Sequence, residues 1–137
     1  MENCIFCKII SGEIPALKVY EGDHTLAFLD IKPNNPGHAL VIPKDHFENI
    51  YTLPDETLAR MALSVKKVAL AVKEAVSADG INISMNNEES AGQEIFHAHI
   101  HVIPRKEGDG FKHFPTTLYE EGEAEDVAKR IISSLEN

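Results

Sequence analysis

Residues 92–105 read GQEIFHAHIHVIPR, and they carry a histidine at three alternate positions: His97, His99 and His101. Successive side chains of a β-strand point to opposite faces, so a strand over residues 97–103 places all three imidazoles on one face. The apolar residues between them then point the other way and can enter a core: Ala98, Ile100 and Val102. A strand that merely faces water is served equally well by Thr, Lys or Glu, so the repeated histidine indicates chemistry.

Two kinds of site use such a row of imidazoles. One is a metal site, because neutral imidazole nitrogens are good metal ligands. The other is a nucleophilic site, in which one imidazole attacks a substrate while its neighbours orient it and balance its charge. The spacing of the three histidines is compatible with both.

The sequence around this strand predicts an α+β fold, with an antiparallel sheet of about five strands, one long helix and a C-terminal helix. Residues 4–10 predict one helical turn that ends at Ser11-Gly12. A turn at residues 21–23 joins the first two predicted strands into a hairpin. Short apolar runs between turn formers mark the predicted strands at residues 17–20, 25–29, 39–42, 81–85 and 97–103.

The long helix is predicted over residues 55–77, where apolar residues recur at spacings of three and four. Thr52 is its predicted N-cap, and Gly80 suits the position just past its C-terminus. The C-terminal helix is predicted to follow residues 121–126. Its apolar residues lie on one side: Ala124, Val127, Ala128, Ile131 and Leu135.

Length and composition limit the class of protein. The 137 residues predict a single domain over residues 1–137, and 43% hydrophobic residues are enough for a core. No run of about 18 apolar residues occurs, which argues against a membrane span. The start shows no export signal, so we expect a cytoplasmic protein. A net charge of −9 argues against a nucleic-acid partner but leaves room for a phosphorylated ligand in a local pocket.

The run from His97 to Ile103 matches the histidine triad motif, in which three histidines alternate with apolar residues. On this motif the chain resembles the histidine triad family, and most closely its nucleotide-binding branch. Further segments fit in register over roughly residues 4–105: Phe6–Ala16, Phe28–Ile31, Pro36–Lys44, Asn86 and Gly92-Gln93.

The resemblance implies a nucleotide hydrolase that acts at the α-phosphorus of purine nucleoside phosphoramidates or other nucleotidyl conjugates. His99 would be the nucleophile and would form a nucleotidyl-histidine, which water then opens to release a nucleoside monophosphate. His101 would donate to the phosphate or leaving group. His38 would orient the triad, whose first histidine is His97. The chemistry requires no catalytic metal, because histidine rather than metal-activated water attacks.

The resemblance also implies the substrate contacts. Asn86 and Gln93 would hydrogen-bond phosphoryl oxygens, and Asp30 would accept the ribose hydroxyls. The side chains expected to pack on the base are Phe6, Ile9 and Phe28. From the residues alone other roles stay open: plain core for the three apolar side chains and for His38, turn formation for Asp30, and loop capping for Asn86 and Gln93.

One position departs from the nucleotide-binding branch. That branch often has Ser directly after the Gly-Gln pair, and this chain has Glu94. A carboxylate close to an anionic phosphate is repulsive, so the preference for leaving groups depends on where Glu94 points. Residues 106–119 carry no motif that the family explains.

Cys4 and Cys7 form a Cys-x-x-C pair, which suits half of a zinc site, a redox pair or two free thiols. The resemblance implies a structural zinc that these cysteines hold together with His46 and His97. The two remaining histidines are expected at the surface: His24 and His113.

Two other functions stay open. One is hydrolysis of dinucleoside polyphosphates by the same histidine. The other is a purine-nucleotide and zinc binding module that acts through a protein partner. The resemblance also implies a homodimer in which the helix over 55–77 and the strand over 81–85 pair across a twofold axis.

Overall fold

The computed structural model describes residues 3–136. Its three helices are α1 (Ile5–Ser11), α2 (Asp55–Ala75) and α3 (Glu123–Leu135), and one 3₁₀ turn covers Glu89–Ala91. Its five strands are β1 (Lys18–Glu21), β2 (Thr25–Leu29), β3 (Ala39–Pro43), β4 (Gly80–Ser84) and β5 (Ile100–Arg105). The strands form one sheet in the order β1-β2-β3-β5-β4, and each neighbouring pair is antiparallel. The predicted α+β fold is therefore confirmed.

The central strands of the sheet are buried on both faces. On one face α2 packs against the small and β-branched residues of the sheet, and Met61 is its most buried contact. A buried hydroxyl pair reinforces this layer, because Thr25 Oγ1 lies 2.7 Å from Ser64 Oγ. On the other face α1 covers a second apolar cluster: Phe6, Ile9, Leu26, Phe28, Leu40 and Ile42. The strands that lie between two helical layers are thus continuous apolar runs.

The ends of α2 differ from the prediction. Thr52 is not its N-cap, because the Thr52 hydroxyl donates to the Asn49 carbonyl and the cap residue is Pro54, which makes no side-chain cap bond. The helix ends at Ala75 rather than at residue 77, and Gly80 is the first residue of β4 instead of a helix terminator. The chain reverses earlier, through Ser77 with φ 50°. Local propensity is a weak guide to a helix end when a backbone turn satisfies the last carbonyls instead.

The predicted strand over 97–103 also begins later than expected, since β5 starts at Ile100. The preceding segment leaves the sheet because the Ala98 amide donates to the Phe47 carbonyl (2.7 Å) rather than to a neighbouring strand. The alternation nevertheless holds in the packing. Ala98, Ile100 and Val102 join the cluster under α2, while the histidines lie on the side that α1 covers.

The C-terminal helix α3 has the predicted apolar side but buries none of its residues. Residues 106–122 lead to it without a helix or strand. Ile131 and Leu135 are exposed, so the described part of the chain leaves the C-terminal half of this side uncovered.

Across residues 3–136, none of the helices combines the length and the apolar character that a bilayer crossing demands.

Candidate active site and metal centre

The start of β5 and the end of the loop before β3 form the centre of the site. His101 stands opposite Leu40 in the antiparallel register of β5 and β3, which brings it beside His38. The His38 Nε2 and His101 Nδ1 atoms are 2.9 Å apart. The structure therefore brings together the triad and the histidine that the sequence placed next to it.

Hydrogen bonds assign the proton positions of this pair. The Asn34 amide donates to His38 Nδ1 at 3.0 Å, so the His38 proton is on Nε2. His38 Nε2 then donates to His101 Nδ1, which leaves the His101 proton on Nε2. His101 therefore offers an N–H donor, as its predicted role requires.

His99 has the opposite arrangement. Its Nδ1 lies 2.7 Å from the His97 carbonyl, which can only accept, so Nδ1 carries the proton. Its Nε2 is left with a free lone pair, which is the form of imidazole that can attack an electrophile. The ring is 7% exposed, and the Phe6 ring packs edge-on against it at 5.2 Å between centroids.

Burial keeps the imidazoles of the site neutral. It lowers the pKa of His99, and it lowers the pKa of His101 to about 4 together with the nearby His99 and His38 rings. Burial also lowers the pKa of His38, against the pull of Asp30, whose Oδ2 is 3.7 Å from His38 Nε2. A neutral His99 is available as a nucleophile near pH 7.

Asp30 lies at the edge of this group, immediately after β2. Its backbone amide donates to the His38 carbonyl, and its Oδ1 accepts from the Lys32 amide at 2.9 Å. The carboxylate is half-buried, and among residues 3–136 no amide donates to its Oδ2. A carboxylate held in this way can accept further O–H donors.

The apolar side chains expected around the base are buried here. Phe6 packs on Phe28 at 5.4 Å between ring centroids and also touches the triad, so α1 closes over the histidine side of the sheet. Ile9 belongs to the same cluster. These residues are part of the core and also lie beside the histidines, so the two roles considered for them are compatible.

Cys4, Cys7, His46 and His97 converge into a second group, with all four potential ligand atoms within 4.8 Å of one another. His97 Nδ1 lies 3.5 Å from Cys4 Sγ, 3.6 Å from Cys7 Sγ and 3.2 Å from His46 Nδ1. The ligands of a tetrahedral zinc stand about 3.3–3.8 Å apart, given zinc–ligand bonds of about 2.0–2.3 Å. Two thiols and two imidazoles at these distances fit a zinc ion.

The protonation of His97 suits a ligand. Its Nε2 donates to the Pro43 carbonyl at 2.8 Å, so the lone pair of Nδ1 points into the group of cysteines. Burial lowers the pKa of His97 to about 4, which keeps this nitrogen free of a proton. Burial, together with the neighbouring Cys4, raises the pKa of Cys7, so metal binding would have to displace its proton.

His97 links the two groups. Its side chain faces the potential metal ligands, and its carbonyl holds the proton of His99. A third cluster of possible ligands (Asp30, His38 and His101) is already joined by the hydrogen bonds of the active site, in which both nitrogens of His38 are engaged.

The loop between β4 and β5 carries the remaining predicted residues. Asn86 is half-buried, and a Cβ on Gly92 would lie 3.5 Å from its Nδ2. Gln93 is 2% exposed, with its amide bonded to backbone groups of Glu48, Glu88 and Ile95. Glu94 is exposed.

Sequence reasoning missed the backbone groups that set the tautomers, which belong to Asn34, Pro43 and His97. Every residue carries an amide and a carbonyl, so no residue type signals this role in a sequence. His24 and His113 are exposed, as predicted, and take no part in either group.

Known proteins resemble this chain in both sequence and structure. The family sequence model of the HIT (histidine triad) domain matches residues 11–108 of the chain. The protein named hit of Bacillus subtilis is 48% identical over 141 residues, which cover 97% of each chain. A crystal structure of a Streptococcus mutans protein superposes with a TM-score of 0.93 at 42% identity, over 98% of this chain and 87% of that one.

Three further relatives have informative names. The adenylylsulfatase HINT3 of Arabidopsis thaliana is 47% identical over 107 residues, which cover 78% of this chain and 54% of that protein. A zinc-bound histidine triad protein of Mycobacterium smegmatis has a TM-score of 0.78 at 38% identity, with 97% and 98% of the chains covered. A histidine triad nucleotide-binding protein of Candida albicans has a TM-score of 0.86 at 33% identity, with 97% of each chain covered.

Proposed function

Because this chain belongs to the histidine triad family, we propose that it is a hydrolase acting at the α-phosphorus of purine nucleoside phosphoramidates or related nucleotidyl conjugates. The observation that carries the proposal is the state of His99, whose Nδ1 proton is held by the His97 carbonyl at 2.7 Å. This bond leaves Nε2 as a buried, neutral nucleophile beside the N–H donor of His101.

In the first step His99 Nε2 attacks the α-phosphorus. The N–P bond to His99 forms as the bond to the leaving group breaks, and the electron pair of the broken bond stays on the leaving group. From an N-protonated phosphoramidate the leaving group is a neutral amine. His99 becomes a positively charged nucleotidyl-imidazolium, which the His97 carbonyl stabilises through Nδ1–H.

In the second step water attacks the same phosphorus. The N–P bond breaks, and its electron pair returns to Nε2, which restores neutral His99. The water contributes its oxygen to the nucleoside monophosphate, and the released proton passes to the amine or to solvent. His101 supplies a hydrogen bond to the phosphoryl oxygen or leaving group in both steps, with its orientation fixed by His38.

The remaining residues would hold the substrate. We assign Asp30 to the ribose hydroxyls, because its half-buried carboxylate lies beside His38 at the edge of the site. Asn86 is assigned to the phosphate, and Phe6, Ile9 and Phe28 to the wall against the purine.

A zinc ion would be held by Cys4, Cys7, His46 and His97, whose donor atoms already have suitable separations. When bound, it would cross-link α1 to the loop after β3 and to the start of the triad. Its role is structural, because the nucleophile of the proposed reaction is an imidazole.

The experiment measures AMP release from adenosine 5′-phosphoramidate by the wild type and by His99→Ala. We expect the variant to lose at least about 1000-fold in kcat/KM, as expected for the removal of a nucleophile. His24→Ala is the matched control, because it removes an exposed histidine that belongs to neither group of site residues, and it should keep full activity. Full activity of His99→Ala would refute the mechanism.

The same histidine could serve other leaving groups, and the name of the Arabidopsis relative points to sulfate as one. Adenosine phosphosulfate and dinucleoside polyphosphates therefore belong in the substrate panel. If the wild type binds AMP but turns over none of these compounds, and His99→Ala binds AMP equally well, the binding-module function is favoured instead.

A further inference from the structure

The loop between β4 and β5 contains a strained residue. Glu88 has φ 75° and ψ 156°. This region of backbone space is essentially reserved for glycine, because a Cβ meets the backbone there. Within residues 3–136, Ser77 is the other non-glycine residue with positive φ, and its φ of 50° belongs to the milder left-handed region. Glu88 needs support from its surroundings to keep this conformation.

Most of that support comes from Gln93. The Glu88 amide donates to Gln93 Oε1 at 2.8 Å, and the Glu88 carbonyl accepts from the amides of Ala91 and Gln93, each at 3.1 Å. The Glu88 carboxylate also accepts from the Tyr51 hydroxyl, but this bond is exposed and contributes little. Gln93 therefore holds both the amide and the carbonyl of the strained residue.

The other end of the Gln93 side chain ties the loop to the segment after β3. Its Nε2 donates to the carbonyls of Glu48 at 2.7 Å and Ile95 at 3.1 Å. Both hydrogens of the amide and its oxygen are thus used inside the protein, and the residue is 2% exposed. Gln93 can donate to a phosphate only by giving up one of these bonds, which takes that partner from the Glu48 or the Ile95 carbonyl.

Other bonds join the same two segments on each side of Gln93. Ile50 donates its amide to Asn87 Oδ1 at 2.8 Å, and Ala98 donates its amide to the Phe47 carbonyl at 2.7 Å. One end of this joined loop carries Asn86, and the other end carries the His97 carbonyl that sets the tautomer of His99. A shift at Gln93 is therefore transmitted to both.

We propose that Gln93 is a positioning residue, which keeps Glu88 in its strained conformation and so places Asn86 and the triad, without donating to the phosphate. The kinetic part of this inference rests on the proposed function. It predicts a specific coupling: the need for Gln93 should diminish when residue 88 is glycine, because glycine adopts the same conformation without steric cost.

The test combines Gln93→Met with two substitutions at position 88. Met has a similar length and none of the three hydrogen bonds, so we expect kcat/KM for adenosine 5′-phosphoramidate to fall by about 100-fold, as misplaced catalytic groups do. Adding Glu88→Gly to Gln93→Met should raise kcat/KM by at least about tenfold. Adding Glu88→Ala should restore none, since alanine also removes the Tyr51 bond but keeps the strain. Glu88→Gly alone should leave the activity near that of the wild type.

Three kinetic outcomes would overturn the inference. Unchanged activity of Gln93→Met would show that the side chain is dispensable. An equal recovery of activity in the glycine and alanine double variants would show that backbone strain is irrelevant. A loss that neither substitution relieves would assign Gln93 to direct contact with the substrate.

A second readout does not depend on activity. With Gln93 intact, Glu88→Gly should unfold at a higher temperature than Glu88→Ala, because only glycine removes the strain. In Gln93→Met, the backbone amides of residues 91 and 93 should exchange hydrogen faster than in the wild type. Adding Glu88→Gly to that variant should slow the exchange again. If neither the difference in unfolding temperature nor the change in hydrogen exchange is seen, the inference is overturned, whatever the activity. A wild type that turns over no phosphoramidate refutes only the proposed function.

Discussion

At the scale of single residues, three neighbouring histidines have different chemistry although their side chains are identical. His97 donates from Nε2 to a carbonyl and keeps the lone pair of Nδ1. His99 donates from Nδ1 and keeps the lone pair of Nε2. His101 accepts at Nδ1 and keeps an N–H at Nε2. The partner of one nitrogen decides what the other nitrogen can do, so one short segment can offer a metal ligand, a nucleophile and a donor.

The lowered pKa of His101 predicts a pH-dependent stability. The folded protein holds this pKa at about 4, below the ordinary value of 6.5. The unfolded chain therefore binds a proton that the folded protein does not bind between these pH values, and the free energy of unfolding falls as the pH falls from about 6.5 to about 4. We expect His101→Gln, which cannot titrate, to reduce this loss in urea unfolding measured across the same range. An unchanged slope in His101→Gln would contradict the prediction.

At the scale of elements, α1 depends on its contacts more than on its own propensity. It has seven residues, too few for a helix that is stable alone in water. Cys4 Sγ accepts from the Cys7 amide and caps its start, and Gly12 ends it in the left-handed conformation. The remaining support comes from the apolar cluster under Phe6 and from the proposed zinc.

We expect the wild type, purified without chelator, to contain about one equivalent of zinc, and Cys7→Ser to contain far less, because a serine hydroxyl is a poor zinc ligand. Metal analysis measures both, and His24→Ala should keep the wild-type content. Heat unfolding should also show a lower midpoint for Cys7→Ser, since the ion joins α1 to two other segments. Less than about a tenth of an equivalent in a correctly folded wild type would refute the zinc proposal.

The turn before β3 depends on a glycine. Gly37 has φ 100°, and a Cβ there would lie 3.0 Å from Val76 Cγ1 and 3.3 Å from Pro104 Cγ. We expect Gly37→Ala to lower the free energy of unfolding by about 1–3 kcal/mol through backbone strain and overpacking. Gly80→Ala is the matched control, because no heavy atom lies within 4 Å of its added Cβ, and it should change stability by less than about 0.5 kcal/mol. Denaturant unfolding compares the two; equal effects would contradict this explanation.

At the scale of the whole molecule, one chain leaves two apolar surfaces uncovered. The first lies on α2 and β4, where Leu70 is 63% and Ile83 is 54% exposed. The second is the apolar side of α3, a helix none of whose residues is buried. Exposed apolar surface of this kind is typical of a protein that associates with a partner.

We therefore expect a homodimer through α2 and β4, with a mass in solution about twice the 15.2 kDa of one chain. Ile83→Glu should weaken it, because the new carboxylate would be buried without a partner. Ile31→Glu, at a site that is 89% exposed and outside α2 and β4, should leave the mass unchanged. Light scattering over a range of concentrations measures all three; a wild type at the mass of one chain would refute the dimer.

The sequence by itself determined the type and order of the main elements, and it named the residues of the candidate site. Alternating histidines at 97, 99 and 101 predicted the two-faced strand, and apolar spacing predicted α2 to within two residues at its C-terminus. These features depend on side-chain periodicity, which the sequence displays directly. The grouping of Cys4, Cys7 and His46 with His97 was implied by the resemblance to the histidine triad family, and the structure brings these four side chains together.

Only the tertiary structure decided the protonation of each imidazole, the hydrogen bonds of Gln93 and the ends of the elements. These depend on which backbone amide or carbonyl a side chain meets, as with the Pro43 carbonyl at His97 and the Glu48 carbonyl at Gln93. Such groups occur in every residue, so their pairing follows from packing between distant segments and leaves no mark in residue type. For the same reason Thr52, a good N-cap by propensity, does not cap α2, because its hydroxyl donates to the Asn49 carbonyl in the preceding turn.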